Sequence, residues 1–282
     1  MMKVYDLAFS LGFSCGTSQA LRAAGLQFAS YPLDWTGEPD IMAGVQLVAN
    51  DFANWFEFED FDLVDVRHGA GFCTRCYINK RTSLGFSHEF DDFHPFEESH
   101  PRIKNVYARR VERLMADLRQ SRKTLAVYME MPKRERTTDG DILKAQHILA
   151  EKFPESEIDL LYVSVDEKKK KPSLKQFSPN VFTAEFNYRK YDGAEITHFI
   201  EWEPLVALLK DNFKVTDRRT SEEKKEYTEY GKKADDLRWG PDKSRFRRWL
   251  NKHLYKTYRT LERILMERGL VQKEGPLWFW KT

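Results

Sequence analysis

The sequence predicts an α/β protein, with a mainly parallel sheet flanked by helices. Three observations carry this. Apolar runs of strand length at 4–11, 124–129, 158–165 and 181–186 lack a clean in-out alternation, as expected of strands covered on both faces. Amphipathic segments at 17–24, 139–153 and 203–213 alternate with those runs, the order that builds strand–helix–strand units. The chain has 282 residues, 41% hydrophobic and 14% aromatic, enough for a substantial core and unlike a disordered polymer.

In chain order, 4–11 reads as a buried strand ending at Gly12, and 17–24 as the helix after it. Pro32 and Pro39 bracket a loop that holds Asp34 and Trp35. Residues 41–55 read as a helix, because Ile41, Val45, Val48, Phe52 and Trp55 recur on one face. Residues 56–100 form an irregular aromatic insertion of hairpins and loops, and 103–120 a long charged helix. Then come the strand at 124–129, a helix at 139–153 with Asp139 as its cap, strands at 158–165 and 181–186, and a helix at 203–213. A charged loop at 168–171, closed by Pro172, lies between those two strands. The expected division is a catalytic domain at 1–220 and, at 221–282, a polar linker followed by a basic amphipathic helix over 244–268.

The net charge of +2 hides an asymmetry. Residues 238–282 hold 12 Lys+Arg against 4 Asp+Glu, a surplus of eight, while the remainder holds 34 against 40. Phe246, Leu250, Leu254, Tyr258, Leu261 and Leu265 recur at helical spacing in that tail, with Trp249 beside them. Such a helix suits an anionic membrane surface or docking on protein. No recognition fold accompanies the charge, so nucleic acid is not an expected partner. No apolar run reaches transmembrane length, and the N-terminus has no signal-peptide core. Three cysteines make no disulfide framework. The expected location is the cytoplasm, with the tail at the inner membrane leaflet.

The chemistry gathers around Cys15. It follows a strand that ends at Gly12 and opens a helical run. A helix N-terminus carries partial positive charge and unpaired N–H groups, which favour thiolate and suit an oxyanion. Cys15 is therefore the candidate nucleophile, and the backbone N–H groups at Cys15 and Gly16 are the candidate oxyanion donors. A cysteine nucleophile needs a base and a group that orients it. His88, in the acidic and aromatic run 88–94, is the candidate base, and Asp34 the orienting carboxylate. His198 is the rival base, because catalytic groups in open α/β sheets collect at the carboxyl ends of strands. The alternative for each is structural: a small buried thiol, an ordinary loop histidine, an aspartate closing a turn.

These residues carry a family resemblance. Ser10-Leu11-Gly12-x-x-Cys15, Leu21-Arg22-x-x-Gly25-Leu26, Ser30-Tyr31-Pro32-x-Asp34-Trp35, Phe86-x-His88 and the helix bearing Tyr107, Arg109, Arg110 and Arg113 together resemble the putative papain-like cysteine peptidase family, a domain of unknown function. The resemblance spans about residues 5–215. It departs from the family pattern at Leu33, where Phe is expected, and at Glu89, where Asp is expected. It implies Cys-His-Asp hydrolysis or acyl transfer, and a sheet-and-helix fold split by a cleft, against the parallel sheet that the periodicity predicts. A second, shorter likeness links Glu195-x-x-His198 to the Asp-x-x-His ending of SGNH-type esterases.

Arg109, Arg110 and Arg113 are candidate substrate-binding residues, since guanidinium groups grip phosphate or carboxylate in bidentate fashion. Trp35 is a further candidate contact. Cys73-x-x-Cys76 has zinc-ligand spacing but no second pair, and the cluster of His88, Asp91, Asp92 and His94 reads more simply as a solvated acidic loop. Neither a Walker motif nor a dinucleotide fingerprint occurs. No metal or cofactor is expected. The leading expectation is a cysteine-dependent hydrolase or acyltransferase acting on an acyl-bearing or anionic small molecule, glycan or peptide, with lipid-linked polysaccharide intermediates as the setting. A sugar or phosphate transferase using the Arg helix, and a non-catalytic partner in a membrane-associated assembly, are the alternatives.

Overall fold

A computed structural model describes residues 2–12, 15–37, 40–69, 72–91, 94–130, 137–165, 171–186, 203–222 and 224–225, with the backbone alone at 67–69, 72–74, 88, 91 and 203. The chain forms two compact units, Met1–His68 with Cys73–Asp217, and Gly69–Phe72 with Arg218–Thr282. The second lies almost wholly outside the described residues, and the predicted helix over 244–268 lies outside them entirely.

The elements run β1 (Lys3–Tyr5), β2 (Leu7–Ser10), α1 (Cys15–Ala23), β3 (Thr36–Gly37), α2 (Ile41–Ala49), β4 (Phe61–Gly69), β5 (Phe72–Asn79), β6 (Leu84–Asp91), α3 (Phe96–Gln120), β7 (Lys123–Glu130), α4 (Asp139–Lys152), β8 (Glu157–Val165), β9 (Ser173–Ser178), β10 (Val181–Phe186), α5 (Glu203–Asn212) and β11 (Phe213–Val215). The main sheet has the order β2-β7-β8-β10-β9. Its first four strands are parallel and β9 runs antiparallel to β10. β1 pairs in parallel with β11, and a second sheet has the order β3-β6-β5-β4.

The continuous apolar strands are explained by two cores. Ala126 and Tyr128 of β7 join Phe9, Leu160 and Tyr162 on one face. Leu125, Val127 and Met129, the alternate residues, join Ala8, Leu161 and Val163 on the other. Residues of α2, α3 and α4 fill the first core, and residues of α1 and α5 the second. With both faces covered, both alternate sets are mainly apolar, and polar exceptions such as Thr124 and Asp159 are themselves buried. The architecture is thus the α/β one that the periodicity predicts, with parallel and mixed sheets.

Several boundaries differ from expectation for physical reasons. Residues 4–11 are two strands, split at Asp6, whose carboxylate accepts the N–H groups of Arg122 and Lys123. α2 stops at Ala49, because Asp51 and Phe52 are left-handed, at φ 54° and 56°. Phe52 and Trp55 are nevertheless buried, so their apolar spacing reports burial in a turn rather than helix. α4 is capped by Thr138, not Asp139: Thr138 Oγ1 accepts the Asp141 N–H, and the Asp141 carboxylate returns a bond to the Thr138 N–H. α3 begins at Phe96, with Pro101 inside it. β9 and β11 were not expected; β9 is mostly solvated and β11 has three residues, so neither offers an apolar run to read.

One contact fixes α2 against the strand that leads to Cys15. A Cβ built on Gly44 lies 2.3 Å from the Leu11 carbonyl oxygen. Only glycine permits this approach of helix backbone to strand end. Gly44→Ala is expected to cost about 1–3 kcal/mol by overpacking, read as a lower denaturation midpoint. Gly37→Ala, whose Cβ has 3.8 Å of clearance from the Gly85 oxygen, provides the comparison; equal losses at both sites refute the clash.

Candidate active site

The parallel strands place their carboxyl ends on one edge of the sheet, and the end of β2 builds the site. Ser10 is fully buried and its Oγ accepts the Gly12 N–H at 3.0 Å. Gly12 has φ +100°, a region that L side chains avoid. The chain turns there and Cys15 opens α1. Thr17 Oγ1 donates back to the Gly12 carbonyl at 3.3 Å, closing the turn from the helix side. Cys15 is a free, half-buried thiol, and Gly16 is buried beside it.

Burial pushes the Cys15 thiol up from its ordinary value. The backbone N–H at the start of α1 pulls it back, and the Glu89 carboxylate pushes it up again. The expectation of a thiol lowered by the helix end therefore meets a stronger opposing effect. A partial charge of about half a unit at a helix end acts within one turn, whereas desolvation acts on the whole thiolate.

Glu89 is the residue that sequence reasoning passed over as a departure from a motif. It lies on β6, half-buried, and accepts a 2.7 Å bond from the Tyr107 hydroxyl. Tyr107 is fully buried on α3. Its phenol is held well above its ordinary value by burial and by Glu89, with Arg110 opposing; it acts as a donor. Arg110 lays its guanidinium 4.8 Å from the centre of the Tyr107 ring. His88 is on β6 next to Glu89, but its side chain lies outside the described part of the structure. His198, between β10 and α5, lies outside the described residues altogether.

Asp34 has a definite and different set of partners. Its side chain is fully buried, and one carboxylate oxygen accepts from Gln27 Nε2 at 2.7 Å, the Tyr31 N–H at 2.8 Å and Arg22 Nη2 at 3.1 Å. Burial pushes its carboxyl up, while Tyr31, Gln27 and Arg22 draw it back. Arg22 sits in the last turn of α1 and also donates to Ser18, to Ser30 and to the Ala29 carbonyl. Asp34 thus ties the loop at 27–34 to the helix that starts with Cys15. Trp35 lies half-buried beside this pair, its ring centre 5.8 Å from the Arg22 guanidinium carbon.

The Arg helix divides differently from its sequence reading. Arg109 is exposed. Arg113 is exposed and donates to the Ser30 carbonyl at 3.0 Å. Arg110 is the one turned inward, toward Tyr107. Among the described residues no group of three His, Cys, Asp or Glu is gathered for a metal ion. A cavity of about 550 Å³ opens elsewhere, lined by Asp40, Gln46, Asn50, Trp55, Arg81 and Ser83 among others; Cys15 does not line it. No helix among the described residues is long and apolar enough to cross a membrane.

The fold and the turn define an α/β protein with a thiol just past the carboxyl end of β2, the first strand of its main sheet. Residues 6–168 match the family described as "Putative papain-like cysteine peptidase", and the chain belongs to that family. The matched segment runs from β2 to just past β8 and includes Cys15, Asp34, His88, Glu89 and the Arg helix. No curated protein and no solved structure gives a significant match.

Asp34→Asn tests the brace. Removing one member of a buried ion pair costs about 3–5 kcal/mol, so a loss of this order is expected in chemical denaturation. Cys15 should still be alkylated in the folded variant, because Asp34 acts on it only through the placement of α1. A variant of wild-type stability that has lost Cys15 reactivity would instead place Asp34 in the chemistry.

Proposed function

We propose that the chain is a cysteine-dependent acyl hydrolase or acyltransferase with Cys15 as its nucleophile. The observation that carries this reading is a free, half-buried thiol at the first residue of α1, just beyond the carboxyl end of a parallel strand. Open α/β sheets place their ligands at that edge. The family description supports the same class.

In this reading Cys15 attacks an ester, amide or thioester carbonyl. Its proton passes to an imidazole and from there to the leaving group, so the acyl group rests on sulfur until water or a second acceptor removes it. His88 is the preferred base, because it lies within the matched family segment and His198 does not. His198 is the second choice, because it follows β10, another strand whose carboxyl end is on the same edge. Backbone N–H groups near Cys15 and Gly16 would stabilise the oxyanion. Asp34 orients the imidazole only at one remove, by holding α1 and its loop. Arg110 and Arg113, with Arg109 outside them, would receive an anionic part of the substrate near Trp35.

Two measurements test the activity. The full chain, given p-nitrophenyl and aryl thioester acyl donors, should form a mass adduct on Cys15. Cys15→Ala should lose at least about a hundredfold in turnover with a melting temperature within a few degrees of wild type. Turnover that survives the substitution removes Cys15 from the mechanism, and a collapse of stability marks it as a packing residue.

The basic segment 244–268 is proposed as an amphipathic helix that holds the protein on an anionic membrane surface, which would bring lipid-linked glycan intermediates within reach. Its charge surplus and apolar stripe support this. Deleting 244–282 should weaken binding to vesicles containing phosphatidylglycerol, and salt should weaken the binding of the full chain. Equal binding with and without the segment defeats this placement.

A further inference from the structure

The cavity of about 550 Å³ lies between α2 and the turn that joins β5 to β6. Asp40, Ala43, Leu47 and Asn50 recur three or four residues apart, so one stripe of α2, from N-cap to C-cap, forms a wall. Arg81, Thr82 and Ser83 form the other. Leu47 and Trp55 are buried and supply an apolar base, whereas Asp40, Gln46, Asn50, Arg81 and Ser83 are exposed and supply a polar rim.

These walls are held firmly. Asn79 is fully buried; its Nδ2 donates to the Trp55 carbonyl at 2.8 Å, and its Oδ1 accepts the Arg81 and Thr82 N–H groups, both at 3.0 Å. One side chain therefore ties the segment after α2 to the turn after β5. Among the described residues, the non-glycine residues at positive φ are Asp51, Phe52, Asn54 and Ser83. All of them lie in the two segments that Asn79 joins. Left-handed backbone is a genuine outlier for a side chain as bulky as Phe52, and such conformations gather at ligand clamps. The Trp55 ring is fixed as well, 5.1 Å from Phe52, 5.4 Å from Phe56 and 5.5 Å from Tyr107.

We propose that this cavity is a carbohydrate-binding site that takes neutral sugar residues of a glycan. Its chemistry selects that class. The one cation in the lining, Arg81, already gives Nε and Nη2 to Asp60 at 2.6 and 3.2 Å, so a phosphate or carboxylate would meet a charge that is already matched. The other polar groups are the Asp40 carboxylate, the Gln46 and Asn50 amides, and the Thr82 and Ser83 hydroxyls. Amides and hydroxyls both donate and accept, as sugar hydroxyls require of their partners, and a carboxylate accepts from two adjacent hydroxyls. Leu47, Ile78 and Trp55 suit the C–H face of a pyranose ring. The volume falls within the range of about 300–1,000 Å³ typical of small-molecule sites. Binding here is non-covalent and does not depend on Cys15 being a nucleophile.

The test is ligand-observed saturation-transfer NMR on the full chain, with neutral gluco-, galacto-, manno- and xylo-oligosaccharides and with oligogalacturonate as the anionic comparison. At least one neutral oligosaccharide should bind, and oligogalacturonate should not. Gln46→Ala and Asn50→Ala, both at exposed positions, should each weaken that binding by about fivefold or more. Ala53→Trp, also at an exposed position of the lining, should abolish it by filling the space, and it provides a further arm should either of the others fail to fold. Cys15→Ala should bind as wild type does, which separates this site from the thiol chemistry. Failure of every neutral oligosaccharide to bind, preference for oligogalacturonate, or neutral binding that the folded cavity variants leave unchanged overturns the proposal.

Discussion

One fully buried carboxylate governs the geometry around the thiol. Asp34 has no contact with solvent, so its charge must be met by protein donors, and it draws them from three places: the end of α1 through Arg22, the following turn through Gln27, and its own loop through the Tyr31 N–H. A buried carboxylate without partners would be prohibitively costly. Each donor is thereby pinned, and with them the direction in which α1 leaves the sheet. Arg22 lies near the far end of a nine-residue helix from Cys15. A rigid rod fixed at one end by Asp34 and at the other by the Ser10–Gly12 turn leaves the thiol little freedom.

α3 continues the same frame. Tyr31, whose N–H is held by Asp34, donates its hydroxyl to Asp117 at 2.7 Å, and Arg113 reaches the Ser30 carbonyl. Two turns earlier, Tyr107 holds Glu89. One face of a 25-residue helix therefore anchors both the loop that braces α1 and the strand that bears Glu89. This explains why Arg110 differs from its neighbours: it falls on the anchored face, while Arg109 falls outside it. Burial on that face places its guanidinium against an aromatic ring, where cation–π attraction replaces part of the lost hydration.

The sequence made the parallel sheet legible because burial on both faces favours long apolar runs, and the central strands β7 and β8 are buried almost throughout. The strand-turn-helix at Gly12 and Cys15 was legible for the same reason, helped by a glycine at a position that needs positive φ. What escaped was which side chains meet. Asp34 reads either as an acid that orients a histidine or as one that closes a turn, and its bonds to the Tyr31 N–H, Gln27 and Arg22 match the second. Glu89 reads as a motif irregularity, since its partner Tyr107 comes 18 residues later. The end of α2 was misjudged because Phe52 and Trp55 keep helical spacing while the backbone turns left-handed. Periodicity records which side chains are buried, and a capped turn can bury them as well as a helix does.

The ionisation of Cys15 sets the form that any chemistry here must take. Two local effects oppose each other: the first N–H groups of α1 favour the thiolate, and burial with Glu89 favours the thiol. α1 has no acidic residue in its first turn, so its positive end is not already neutralised, yet the thiol is still pushed up. Desolvation acts whenever the charge exists, whereas the helix end contributes only a fraction of a unit charge. On the proposed reading of Cys15 as nucleophile, a resting thiol would need a group that removes its proton as the new bond forms. Reactivity in such a site depends on coupling to a base rather than on a stored thiolate.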